Sequence, residues 1–239
     1  MVKTGNASAS VLVDMGLLET APDKRFPFLV ITGPKTKNCN TMGLIDKEEI
    51  AVLEDMLEAT GNFLTGVTPK ILAGTVTRNC QRVNYYYVKD TSGVRTALNR
   101  LYTRSFKNNA YVLGIKSDPD WDTYRRFLYP DEETHNWMDN DKIITKMLQQ
   151  GDSLKTPRNI SFTVCFRYDT DRAAFINFVT SQGYNVAPQK AITAIPDMPY
   201  VAEATINSLV KMELVNPKSM ELKIASRKYH GLYNGWYAK

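Results

Sequence analysis

The sequence predicts an α+β protein made of two tandem ferredoxin-like α/β sandwiches, each an antiparallel sheet with both helices on one face. Three observations carry that expectation. Over residues 159–186 the pattern changes period once: Ile160, Phe162, Val164, Phe166 and Tyr168 alternate with Ser161, Thr163, Cys165 and Arg167, and then Phe175, Phe178, Val179 and Gln182 fall at helical spacing up to Gly183. A strand there leads into an amphipathic helix that lies back across its sheet. The element order β-α-β-β-α-β also occurs twice, over residues 26–116 and again over 159–237. Finally, 239 residues with 43% apolar content suit two cores of roughly 100 residues each.

Taken in order, Val11, Val13, Met15 and Leu17 alternate with Leu12, Asp14 and Gly16 as an opening strand. Residues 26–32 form a second strand, followed by a loop at 33–40 rich in lysine, asparagine and glycine. Asp46 begins a helix whose Ile50, Leu53 and Leu57 share a face and which Gly61 closes. Residues 70–77 and 82–89 are a strand pair, the second carrying Tyr85, Tyr86 and Tyr87. Ser92 caps a helix to about Phe106, and 110–116 is the last strand of this half.

Asp118-Pro119-Asp120 breaks the pattern, and helical segments at 121–128 and 131–150 follow. The expected domains are therefore 1–118 and 151–239, with 119–150 as a helical connector. In the second half the 159–186 unit ends in a short strand at 184–188. A long strand over 200–214 comes next, with a helix as its rival. Asn216-Pro217 then supplies the N-cap and first position of a helix reaching Tyr229, and 232–237 closes the chain as a strand.

Composition narrows the function classes. No apolar run reaches the roughly 18 residues of a membrane span, and Asp14 interrupts the apolar segment near the start, so a soluble cytoplasmic protein without a signal peptide is expected. Three cysteines, Cys39, Cys80 and Cys165, are odd in number and widely spaced, which reads as three reduced thiols. With two histidines, His135 and His230, a histidine-based metal site or relay is not expected, and no cofactor is. The loop Gly33-Pro34-Lys35-Thr36-Lys37 lacks the spacing of a phosphate loop.

The formal charge of +5 is concentrated. Residues 78–107 hold Arg78, Arg82, Lys89, Arg95, Arg100, Arg104 and Lys107 against Asp90 alone, with Tyr85–Tyr87 available in principle for base stacking. A nucleic-acid site at Arg78, Arg95, Arg100, Arg104 and Lys107 is one reading. Against it stands the helix at 46–60, with six acidic residues and one lysine, which would face the basic helix in this fold and cancel its far field. Nucleic acid is thus the lesser expectation. Asp118, Asp120 and Asp122 are closely spaced carboxylates, but turn and cap chemistry explains them without a metal. Cys165 has Arg167 two residues on, yet no paired histidine, so an inert thiol is expected. In the aromatic end of the chain, alternation sends Leu232, Asn234 and Trp236 one way and Tyr233 and Tyr237 the other. Trp236 is expected in the core, with Tyr233 and Tyr237 at least partly exposed as partner-binding candidates.

Two stretches resemble known bacterial families. The run Trp121-Asp122-Thr123-Tyr124-Arg125-Arg126-Phe127-Leu128-Tyr129-Pro130-Asp131 is similar to the junction at which a domain of unknown function is fused to a second domain. That second domain resembles the regulator of ribonuclease E activity B, on Gly151-Asp152, on the helix end Gln182-Gly183-Tyr184-Asn185-Val186, and on Tyr233-Asn234-Gly235-Trp236. The resemblance implies an α/β sandwich that works without catalysis, by binding an RNA endonuclease and dampening its cleavage. One departure stands out: that regulator is strongly acidic, whereas residues 131–239 here carry 13 basic and 12 acidic side chains. The expectation is a non-enzymatic regulator or adaptor with a protein partner, no membrane and no cofactor.

Overall fold

Two antiparallel sheets, one in each half of the chain, follow from the alternating segments. A computed structural model describes residues 2–4, 7–186 and 195–239, and the chain divides into two units, Met1–Pro130 and Asp131–Lys239. The boundary falls inside the stretch expected as a connector: residues 119–130 belong to the first unit and 131–150 to the second.

The first unit contains β1 (Val2–Thr4), β2 (Ala7–Val13), β3 (Phe28–Pro34), α1 (Lys47–Thr65), β4 (Lys70–Arg78), β5 (Gln81–Val88), α2 (Val94–Ser105) and β6 (Tyr111–Ser117), with strand order β1-β2-β4-β5-β3-β6. Both faces of this sheet are buried. On one, Val30, Tyr86 and Val88 pack against Leu64 of α1 and Val94, Leu98 and Tyr102 of α2. On the other, Leu29, Ala73, Val76, Val83, Tyr85 and Tyr87 meet Trp121, Tyr124 and Leu128 from the segment after β6. Burial on both faces explains why Tyr85, Tyr86 and Tyr87 form a continuous run rather than alternating with polar residues.

Three boundaries differ from expectation. The opening strand ends at Val13, because the Asp14 carboxylate accepts the Gly16 N–H at 3.0 Å and starts a 3-10 turn, Met15–Glu19. Helix α1 continues past Gly61 to Thr65. Gly61 is there for close approach: a Cβ would stand 2.8 Å from the Tyr86 hydroxyl. The N-cap of α2 is Gly93 rather than Ser92, whose N–H goes instead to Asp90.

The expectation of three reduced thiols is also overturned. Cys39 and Cys80 are disulfide-bonded, with Cα atoms 5.6 Å apart. The loop after β3 folds back over the tip of the β4–β5 hairpin, so residues 41 apart in sequence become neighbours. Cys165 is free and fully buried, and burial pushes its thiol pKa up, which makes it inert.

The second unit contains α3 (Glu132–Gln149), β7 (Arg158–Phe166), α4 (Asp169–Ser181), β8 (Asn185–Val186), β9 (Tyr200–Ser208), α5 (Met212–Lys228) and β10 (Gly231–Ala238), with strand order β10-β7-β9-β8. Asp131 caps α3 by accepting the Thr134 N–H at 2.8 Å. The inward residues Ile160, Phe162, Val164, Phe166, Ala202 and Ala204 form one core with Phe175 and Val179 of α4 and Val215 and Leu222 of α5. Ile143, Ile144 and Met147 of α3 pack against the same core. The strand expected at 184–188 is described for Asn185–Val186, and residues 187–188 lie outside the described part.

Strand β9 stops at Ser208, not 214, and α5 begins at Met212 rather than at Asn216-Pro217. The turn Leu209–Lys211 and the buried Val210 and Val215 start the helix early. Pro217 therefore sits inside α5, near enough to the start that its missing N–H deprives only the Glu213 carbonyl.

Candidate functional site

The resemblance singled out the aromatic end of the chain, and its geometry turns on one extra residue. Tyr233 lies opposite Val164 of β7, but Trp236 lies opposite Phe162, so three steps along β10 match two along β7. This is a β-bulge, with Gly235 at φ 85°. The bulge resets the alternation, and Tyr233 and Trp236 both face the core, contrary to the regular pattern expected from sequence. Trp236 is buried, as expected. Tyr233 and Tyr237 are each half-buried, but the Tyr233 hydroxyl is sealed from solvent. Desolvation raises the pKa of the Tyr233 and Tyr184 hydroxyls, with Glu221 adding to the rise at Tyr184.

Beside Trp236 lies a buried polar lock that sequence reading missed. The Trp236 indole N–H donates to Asn140 Oδ1 at 2.7 Å. Asn140 and Asn136, four residues apart on α3, both donate to Ser219 Oγ of α5 at 2.8 Å and to Asn216 Oδ1 at 2.9 and 3.0 Å. Asn136, Asn140 and Ser219 are essentially inaccessible to solvent. Two asparagines at helical i, i+4 spacing, in a domain whose tryptophan needs an acceptor, were the available signal.

The opposite face of this sheet is polar around Thr205, Glu203 and Tyr237, while Cys165 and Val201, paired across β7 and β9, are buried on it. Ser161 and Thr205 share a hydroxyl hydrogen bond of 2.8 Å, and the Tyr237 hydroxyl donates to Glu203 Oε2 at 3.1 Å. Leu232, opposite Cys165, is 46% exposed on this face. Tyr237 also borders an open cleft of about 440 Å³ walled by Ile143, Met147, Gln150 and the Arg158–Asp152 ion pair. The Arg158 guanidinium holds the Asp152 carboxyl below the usual range. The face thus offers hydroxyls, one carboxylate and a few apolar contacts.

The structure divides the basic window between the core and the surface of the first unit. Tyr85, Tyr86 and Tyr87 are buried and cannot stack on bases. Arg82 is also buried, donating to Thr77 and to Glu54 of α1 at 2.7 Å. Arg78, whose charge is felt by Tyr85, has its Nε enclosed on the sheet face away from α2. Arg95, Arg100, Arg104 and Lys107 are exposed on and just after α2 and make no ion pair among the described residues. Among the described residues no ion pair joins α1 to α2; Glu54 of α1 pairs with Arg82 of β5 instead.

The carboxylates after β6 serve the fold. Asp118 accepts the Asp122 and Thr123 N–H groups at 3.0 and 3.1 Å and the Tyr87 hydroxyl at 2.7 Å. Burial acts to raise its pKa, but hydrogen bonds from Thr123 and Tyr87 outweigh it and hold the carboxyl below the usual range. Trp121 stacks on Tyr87 with ring centroids 3.9 Å apart and donates its indole N–H to the Phe26 carbonyl at 3.0 Å. Tyr124 donates its N–H to the Tyr87 hydroxyl at 3.1 Å and its own hydroxyl to the Asp14 carbonyl at 2.8 Å. The junction motif is thus the lid of the first sheet.

Residues 1–129 match a family of unknown function, DUF695, and residues 137–237 match the family described as regulator of ribonuclease activity B. No curated protein matches the chain. The two matches fall on the two halves that the fold separates at Pro130, and the chain accordingly belongs to the DUF695 family of unknown function, joined at its C-terminal end to a domain of the regulator of ribonuclease activity B family.

Proposed function

We propose that this protein is a non-catalytic regulator of an RNA endonuclease of the ribonuclease E type, acting by protein contact through residues 131–239. The observation that carries the reading is the match to a ribonuclease-regulator family over 137–237, a span lying wholly within one unit with its own continuous core. We read both units as ferredoxin-like sandwiches, since each runs β-α-β-β-α-β and the four strands of each such run lie in the spatial order fourth, first, third, second. The contact surface in this reading is the outer face of the second sheet, around Leu232, Tyr237 and Glu203. With 13 basic and 12 acidic side chains in this part, the contact rests on shape and hydroxyl chemistry rather than on a strong acidic field. The cytoplasm is the compartment this implies.

The test is to mix the full-length protein with a ribonuclease E-type endonuclease and follow both association and RNA cleavage. Association at micromolar concentration with slower cleavage is expected. Absence of both at that concentration would leave the fold and remove the function.

A further inference from the structure

The tip of the β4–β5 hairpin carries a disulfide that no part of the proposed regulatory surface uses. We propose that Cys39–Cys80 is a reversible redox modification site: a dithiol reductant of the thioredoxin class opens it, and opening frees the loop 36–45 while the sheet and α1 stay in place.

The backbone at the tip is the first support. Two residues, Asn79 and Cys80, connect the strands, with φ of 52° and 58°. A two-residue hairpin with both central φ positive favours Asn-Gly. Asparagine is present, but cysteine stands in glycine's place, with its side chain held in the left-handed region that disfavours a Cβ. Local preference does not select Cys80, whereas its sulfur chemistry does.

Placement is the second. Both cysteines are partly exposed, and neither belongs to any of the apolar clusters of the first unit. The parts they join stand without them. Strands β4 and β5 share a long ladder, and α1 is seated by buried Leu53, Met56, Leu57 and Leu64. Among the described residues the loop reaches the tip through a few other links, Thr36 N–H to the Cys80 carbonyl at 2.9 Å, Cys80 N–H to the Gly43 carbonyl at 3.0 Å and the Lys35–Gln81 bridge, and its start is tied to α1 by Thr36 and Asn38, which donate to Glu49 at 2.8 and 3.0 Å. Ile45, at the end of this loop, covers Leu53 and Met56, so release of the loop uncovers a small apolar surface.

The chemistry balances. A reductant thiolate attacks one sulfur and expels the other cysteine as thiolate, forming a mixed disulfide. The reductant's second thiol then displaces the remaining protein sulfur. Two electrons and two protons pass to Cys39 and Cys80, and the dithiol leaves as its own disulfide.

The test treats the oxidised full-length protein with a thioredoxin-class dithiol under native conditions, then maps thiols by alkylation and mass spectrometry and the backbone by hydrogen exchange. Cys39 and Cys80 should become alkylated while Cys165 stays protected. Exchange in 36–45 should rise at least about tenfold, with β4, β5 and α1 changing by less than about twofold. Cys80→Gly, which restores Asn-Gly, should fold with the same sheet protection and show the faster loop exchange whatever the redox buffer. The proposal is overturned by free thiols at both positions after purification under oxidising conditions, by a bond that opens only on unfolding, or by reduction that leaves loop exchange unchanged.

Discussion

The two sheets share an order of elements but differ on the face that their helices leave open. In the first unit that face is closed by a stack of Tyr87 and Trp121, a T-shaped Trp121–Tyr124 contact and the buried Leu128. In the second, the face opposite the helices carries Ser161, Thr205, Glu203 and Tyr237, with Cys165 and Val201 its buried apolar pair and no larger apolar cluster on it among the described residues. A sheet apolar on both sides has its partners inside its own domain. One that is apolar on a single side keeps a polar surface for another molecule. The difference makes the first unit's second face scaffolding, and the proposed function places recognition on that of the second.

The largest expected effect falls on the lid. Trp121→Ala removes the stacked ring and the hydrogen bond to Phe26 and should destabilise the first unit by about 3–5 kcal/mol in chemical denaturation. A loss below about 1 kcal/mol would mean the lid is not part of the core. The equivalent probe on the second sheet, Tyr237→Ala, removes a half-buried side chain and one hydrogen bond, so it should cost about 1 kcal/mol or less.

Within the second unit, Asn140→Ala should come next, at about 2–3 kcal/mol, because it strands the buried Trp236 N–H and removes one of the two donors to Ser219 and Asn216 in a dry site. Urea unfolding followed by tryptophan fluorescence measures it. A cost as small as that of Tyr237→Ala would show that the lock is hydrated rather than sealed.

Acid separates the two units more finely. The folded pKa of Asp118 is depressed, so its stabilisation is complete above the unfolded value near pH 4 and is lost as the pH falls through the lower folded value. Asp118→Asn should therefore lower stability at neutral pH and flatten the acid limb of the first unit's stability curve. An unchanged limb would assign the acid sensitivity to other carboxylates.

How much of this was legible in the sequence depends on whether the deciding contact is local. The period change at 159–186 gave β7 and α4 directly, because one buried face imposes its spacing on its own segment. The resemblance to a regulator domain was legible in a few short motifs and agrees with the match over 137–237. Alternation failed at Tyr233, where the bulge at Gly235 adds a residue that no pattern count anticipates. Gly61 looked like a helix end because its true constraint, the Tyr86 hydroxyl, lies on another element. The Cys39–Cys80 pair and the Asn136–Asn140–Ser219 lock were hidden for the same reason: their partners are 41 and about 80 residues away, and nothing in the intervening chain records the contact.

The most direct test of the assignment of recognition to the open sheet is RNA cleavage by a ribonuclease E-type endonuclease, titrated with wild-type protein, with a Leu232→Glu and Tyr237→Ala double variant, and with an Arg100→Glu, Arg104→Glu and Lys107→Glu triple variant. The wild type and the α2 triple variant should slow cleavage alike, and the double variant should lose at least about tenfold in potency while keeping its fold, the range expected when central contacts are removed. Equal inhibition by the double variant, or loss of inhibition in the triple variant alone, would contradict the assignment and move recognition to another surface.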